Sequence, residues 1–293
     1  MRISRLVAML SMLATTHRVH GQQPARAGEP AQPAGPTHVM RTRDGSTMLG
    51  RVIGETADSV RFETAGGLLV FPRSRIAELR RINAEDIHGG QYWPPDPHSS
   101  RLFFGATGRT LKAGEKYLSD LYLFFLNGSV GVTDRVTLGG GFSVFPTSDF
   151  STNVFYLTPQ VGIVEAENFS LAVGALIGFA GKERGSAGLA YLAATSGGQR
   201  ASLTYGAGWV YTNKDVQSKP VLMLGGTVRV ARHLALMSEN YAYTGDATGA
   251  LVSFGVRIMG DKLSTDLAFW NYVGSKGFGI FPGVPWVGFA FKF

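Results

Sequence analysis

From residue 101 onward the chain alternates large apolar residues with small or polar ones over unusually long runs. Phe169, Leu171, Val173, Ala175, Ile177 and Phe179 alternate with Ser170, Ala172, Gly174, Leu176 and Gly178. Leu203, Tyr205, Ala207, Trp209 and Tyr211 alternate with Ser202, Thr204, Gly206 and Gly208. Ala250, Val252, Phe254, Val256 and Ile258 alternate with Leu251, Ser253, Gly255 and Arg257, and the last residues read Phe289-Ala290-Phe291-Lys292-Phe293. Successive side chains of a strand point to opposite faces, so each run carries one large apolar face. In a soluble sheet such faces are an aggregation hazard. Lipid covers them in a closed transmembrane barrel, which also removes the open edges. The apolar set is therefore assigned to lipid and the small or polar set to the lumen.

Short polar turns punctuate these runs at 133–135, 166–168, 231–233 and 260–262, with a fifth at 196–199. They recur roughly every 30 residues, the length of a hairpin of two long strands. Second breaks fall near 112–116, 146–148, 181–185, 213–218, 245–248 and 274–285. The expected strands are 101–109, 118–132, 135–146, 151–165, 168–180, 186–195, 200–212, 219–231, 233–244, 248–259, 263–273 and 285–293. The fold class is all-β, a closed antiparallel transmembrane β-barrel of about 12 strands. An even count puts both barrel ends on one rim, with Phe293 on the strand that closes against 101–109. Trp209, Tyr211, Trp270 and Tyr272 fall near strand ends, as an aromatic girdle requires.

The N-terminal third reads differently. Arg2 and Arg5 followed by an apolar stretch at 6–14 mark residues 1–21 as a secretory signal peptide. No later stretch approaches the 18 or so apolar residues of a membrane-spanning helix. Residues 22–36 are rich in Gln, Pro, Ala and Gly and read as a flexible linker. Turns at Asp44-Gly45 and Gly66-Gly67 separate alternating runs at 48–53, 59–64 and 68–71, closed by Ile76, Leu79 and Ile82. This resembles a small SH3-like or Sm-like β-module at 37–82. Residues 83–100 form a second linker, with Tyr92 and Trp93 either at the membrane interface or packed on the module. The barrel occupies 101–293.

Composition agrees with exclusion of several classes. Charged residues are 17% and aromatics 11%, which disordered chains do not show. No cysteine is present, which excludes disulfides and thiolate metal sites. The net charge of +7 falls to about +4 once Arg2, Arg5 and Arg18 leave with the signal segment.

The carboxyl-terminal residues Phe293, Phe291 and Gly288 resemble the signal by which bacterial outer-membrane β-barrels are recognised for assembly. Trp286 departs from it, standing where that signal often carries a polar residue. The resemblance implies the outer membrane of a Gram-negative-type bacterium, with the small module in the periplasm. It implies outer-membrane lipid and the barrel assembly machinery as partners. It brings no catalytic or binding residues.

Catalysis by a Ser-His pair needs a base near neutrality. The histidines are His17, His20, His38, His88, His98 and His233, and only His233 falls in the expected barrel, in a tight turn. That census argues against an enzyme, and no cofactor, metal or nucleic-acid motif is present. Arg229, Glu239, Arg257 and Asp266 lie on four successive expected strands and form a candidate luminal charge ladder. Such a ladder either braces the wall or selects solutes by charge. Facing in the Glu239 strand is ambiguous, so Tyr241 and Tyr243 are luminal or girdle residues. Gly139, Gly141, Gly206, Gly208 and Gly225 fall on the inner face, where they either leave space or ease curvature. Arg109, Lys112 and Lys116 are expected near the first outer loop, and Lys182 and Arg184 near the third. The expected function is a narrow porin-like channel for small polar solutes. The alternative is a structural or tethering role through the N-terminal module and an envelope partner.

Overall fold

The computed structural model describes residues 37–83, 86–145, 153–180, 185–212, 215–243, 249–274 and 277–293. The expected signal peptide and first linker lie outside the described residues, as do Lys182 and Arg184 and most of the breaks at 146–148, 181–185 and 245–248. No helix among the described residues is long and apolar enough to cross a membrane.

The N-terminal module is a five-stranded antiparallel sheet of β1 (His38–Thr42), β2 (Thr47–Glu55), β3 (Ser59–Thr64), β4 (Gly67–Pro72) and β5 (Ile76–Arg81). Its order is β4-β3-β2-β1-β5, so β4 and β5 are the edges. Met40, Val60 and Phe62 are fully buried, and Met48, Val52, Phe71, Ile76 and Leu79 pack around them. Tyr92 joins Val39 and Ile82 in a second cluster, which settles it on the module. A short hairpin, β6 (Ile87–His88) and β7 (Gln91–Tyr92), interrupts the expected second linker.

The large sheet closes on itself through twelve wall positions. They are β8 (Lys116–Leu121), β9 (Phe125–Thr133), β10 (Val136–Ser143), β11 (Val154–Leu157) continued by β12 (Gln160–Ala166), β13 (Phe169–Ala180), β14 (Gly185–Gly197), β15 (Ala201–Thr212), β16 (Val221–Ala231), β17 (Leu234–Tyr243), β18 (Gly249–Met259), β19 (Leu263–Gly274) and, after the two-residue β20 (Gly277–Phe278), β21 (Val284–Lys292). Strand β10 pairs with both β11 and β12, which share one position broken at Thr158-Pro159. Proline has no N–H to give the ladder there.

The total of twelve hides two compensating differences from the sequence reading. Residues 101–109 are not a wall strand. The expected strand 118–132 is instead two strands, β8 and β9, turned at Tyr122 and Leu123, whose φ values are 59° and 64°. A left-handed conformation is rare for such residues and invisible to alternation. Closure is therefore β21 on β8, with Phe291 opposite Leu118 and Lys292 opposite Tyr117. Both barrel ends still share one rim, where the Phe293 amide donates to the Lys116 carbonyl at 3.0 Å.

Outward positions carry the apolar belt: Val173, Leu192, Leu203, Trp209, Leu224, Leu236, Phe254, Leu267 and Phe289 are all exposed. Inward positions carry Thr137, Gln160, Thr195, Thr204, Glu239, Ser253, Arg257 and Asp266, all buried. Trp270 also faces inward, packed with Trp286 against Leu102 and Phe103, so it is not a girdle residue.

Candidate functional site

The lumen is crossed by the segment running from Trp93 to Lys112, which we call the plug. Its centre is a tight hairpin: Arg101 bridges Ala106, the Leu102 amide donates to Gly105 O at 2.9 Å, and the Thr107 amide to Ser100 O at 2.9 Å. Leu102 and Phe103 at its tip are buried against Met237 and Ala268. Gly105 leaves room for the side chains around it, which would have to shift for any larger residue. A Cβ there would stand 2.5 Å from the Tyr241 hydroxyl and 2.7 Å from Met223 Sδ.

Irregular backbone inside a barrel needs hydrogen-bond partners that a ladder would otherwise supply. The luminal side chains supply them. Glu239 accepts from the Phe104 and Gly105 amides at 2.9 and 2.8 Å, and from the Tyr241 hydroxyl at 2.5 Å. Thr195 Oγ1 accepts from the Gly108 amide and Thr137 Oγ1 from the Leu111 amide, both at 2.9 Å. Gln160 Nε2 donates to Thr107 O at 2.6 Å. Arg229 Nη1 donates to Pro94 O at 2.6 Å, and its guanidinium lies 5.3 Å from the Trp93 ring centre. Trp93 thus belongs to the plug rather than to a membrane interface.

Arg257 is the hub. Its Nε and Nη2 donate to the two carboxylate oxygens of Asp266 at 2.7 and 2.9 Å, a two-point charge-assisted pair. Nη1 donates to Asp96 Oδ2 and His98 O at 2.9 Å and to Arg101 O at 3.2 Å, and Nη2 also reaches Leu102 O at 2.9 Å. The four residues expected to form a ladder are all buried in the lumen. Only Arg257 and Asp266 pair with each other. Arg229 and Glu239 turn to the plug, so the set is an anchor for an inserted segment rather than a rail of cross-strand pairs.

Other expectations move with the plug. Arg109 Nη2 donates to Gly197 O at 2.8 Å, Lys112 pairs with Glu165, and Lys116 stands beside Phe293, with its amine 5.8 Å from that ring centre. All three lie at the tight-turn rim, not in an outer loop. Beside them burial raises the Glu115 carboxyl, but hydrogen bonds from Lys292 Nζ at 2.6 Å and the Lys112 amide outweigh it and hold Glu115 below its usual range. His98 is also in the lumen, which corrects the histidine census. Its ring meets Tyr117 edge-on at 4.2 Å, and its Nδ1 accepts from Arg101 at 3.3 Å. His98 Nε2 has no hydrogen-bond partner among the described residues, so no Ser-His pair forms there.

Above the plug tip a cavity of about 170 Å³ remains. Arg101, Phe104 and Ala106 floor it, and Tyr117, Tyr156, Tyr191 and Tyr241 wall it. Tyr241 is thereby luminal. The inner-face glycines do not simply open this space. Gly174 lies directly opposite Tyr191, and a Cβ there would meet its hydroxyl at 2.4 Å. Gly141 stands in the same relation to Tyr156, and Gly225 receives Leu102 of the plug. Glycine lets each ring lie flat across the neighbouring strand. The prolines at 94, 95 and 97 signal irregular backbone ahead of residue 101, but Gly105 and Gly108 carry no such signal, since wall strands hold glycines too.

No family model matches the chain. No curated protein matches it in sequence either. In fold it is similar to the KdgM porin in complex with disordered oligogalacturonate, with TM-score 0.45 and 10% identity over 61% of this chain and 98% of that one. It is similar to the NanC porin at TM-score 0.39 and 10% identity, over 61% and 98% of the two chains. It is also similar to OmpT, an outer membrane protein of Vibrio cholerae, at TM-score 0.35 and 13% identity over 88% and 95%.

Proposed function

We propose that this protein is an outer-membrane channel for small polar solutes, with passage through the lumen throttled by the plug. The observation that carries the reading is the pairing of an apolar outer belt with a polar inner wall that still encloses a cavity above the plug tip. The plug is held by polar contacts along its length as well as by the apolar cluster at Leu102 and Phe103, so removing a polar anchor loosens one part of it. No catalytic role is assigned.

Conductance of the full-length protein in a planar bilayer tests this. Discrete low-conductance events are expected for the wild type, and more frequent or larger ones for Glu239→Gln, which removes the charge that holds the Phe104 and Gly105 amides. Background current from both proteins, at either polarity, would remove the channel reading.

A second reading, tethering of an envelope partner, is favoured by one feature. Edge strand β4 exposes Leu68, Leu69 and Val70, an apolar strand with one side unpaired among the described residues. Such an edge takes up an added strand from another protein. Val70→Lys should abolish co-purification of an envelope protein. Identical partners with and without the substitution would count against it.

A further inference from the structure

Among the described luminal residues, Arg101 is the guanidinium with the most idle donors, two against one for Arg229. It is 7% exposed. Its Nη2 is engaged with His98 Nδ1, whereas Nε and Nη1 have no partner among the described residues and are covered by their neighbours rather than open to the cavity. The surrounding carboxylates are committed: Asp266 and Asp96 to Arg257, and Glu239 to the plug amides and Tyr241. A buried cation with idle donors is costly unless an acceptor reaches it. Arg101 borders the cavity above the plug. The remaining wall is largely tyrosine rings and aliphatic side chains. A dry engineered cavity of about 150 Å³ holds benzene, so this space is of a size for one ring.

We infer that the lumen contains a binding site for a small organic carboxylate with a ring-sized apolar body. The carboxylate accepts from the idle donors of Arg101 once its guanidinium turns into the cavity that it borders, and the body lies among Tyr117, Tyr156 and Tyr191. Charge selects the ligand, because a neutral amide of the same shape leaves the guanidinium without its counter-ion. The inference rests on the channel reading only in that a solute must be able to enter the lumen.

The test is calorimetric titration of the full-length protein in detergent with benzoate and with benzamide at matched ionic strength. Benzoate should bind at one site per chain, at least tenfold tighter than benzamide. Arg101→Met should weaken benzoate at least tenfold and leave benzamide unchanged. Arg101→Lys, which keeps the charge at a different geometry, should fall between. Heat-dependent gel migration reports folding of each variant, and the contrast between the two ligands on the wild type needs no variant at all. Equal binding of the two ligands, no benzoate binding, or undiminished binding to Arg101→Met would overturn the site. Bilayer recordings on the same preparations separate the two readings. A conducting barrel without benzoate binding sinks the site alone, and a binding barrel that never conducts sinks the channel alone.

Discussion

The barrel has two unequal sectors. Strands β13 to β19 run 10 to 13 residues each and pair along most of their length. Strands β8 to β12 run 4 to 9 residues and include the left-handed turn at Tyr122 and the break at Pro159. The long sector is held mainly by its ladder and by lipid. The short sector and the plug depend on side chains donating and accepting at single points. Regular backbone satisfies itself, whereas irregular backbone buried in the lumen makes its neighbours responsible for it. The long sector provides most anchors for the plug, Thr195, Arg229, Glu239 and Arg257, and the short sector adds Thr137 and Gln160.

The contrast can be broken at its hub. Arg257→Met leaves Asp266 and Asp96 uncompensated and four plug carbonyl or carboxylate contacts unmade. A loss of about 3–5 kcal/mol is expected, the range for breaking a buried pair. Denaturant unfolding in lipid vesicles measures it, with protease sensitivity of the plug as the local readout. A loss below 1 kcal/mol would mean that the plug is not held here. Next, Leu192 lies mid-strand on the outer face of β14, and Leu118 lies two residues from the rim end of β8. Arginine should cost about 2–4 kcal/mol at Leu192 and about 0–1 kcal/mol at Leu118, following depth in the bilayer. Equal costs at both positions would contradict this placement of the belt.

A smaller effect is expected where a ring lies over glycine. Gly174→Ala forces the Tyr191 ring aside, and its Cβ would also meet Pro159 O at 2.8 Å. About 1–3 kcal/mol is expected, the usual cost of overpacking, and Tyr191→Ala in the same chain should recover part of it. Independent, additive effects would show that the two residues do not touch. The smallest effect belongs to Arg41, which pairs with Asp261 of the barrel rim through side chains that are 45% and 49% exposed. Arg41→Ala should change stability by less than about 1 kcal/mol, as exposed pairs do. A larger change, seen in the same unfolding assay, would make that contact a true joint between module and barrel.

The long sector was the legible part. Its alternation names the lipid face of β13, β15 and β18 residue by residue, because a strand with lipid on one side tolerates large apolar groups only there. Arg257 and Asp266 were legible as luminal from their parity, whereas the facing of the Glu239 strand was not. The partners of these charged residues were not legible either. Glu239 binds amides 134 and 135 positions away, and Arg257 binds carbonyls 155 to 159 positions away. No local pattern carries such pairings.

By itself, the sequence determined which face of each long run meets lipid; its count of about twelve, and with it the shared rim, agrees with the fold because a strand lost at 101–109 is regained where 118–132 divides into β8 and β9. Period-two alternation and turn residues are local, and local sterics decide them. Only the tertiary structure decided that Arg101 to Arg109 turn inward as a plug instead of joining the wall, and that β21 therefore closes on β8. Those residues alternate well enough for a strand. What draws them into the lumen is a set of hydrogen-bonding groups that exist together only after the barrel has closed around them.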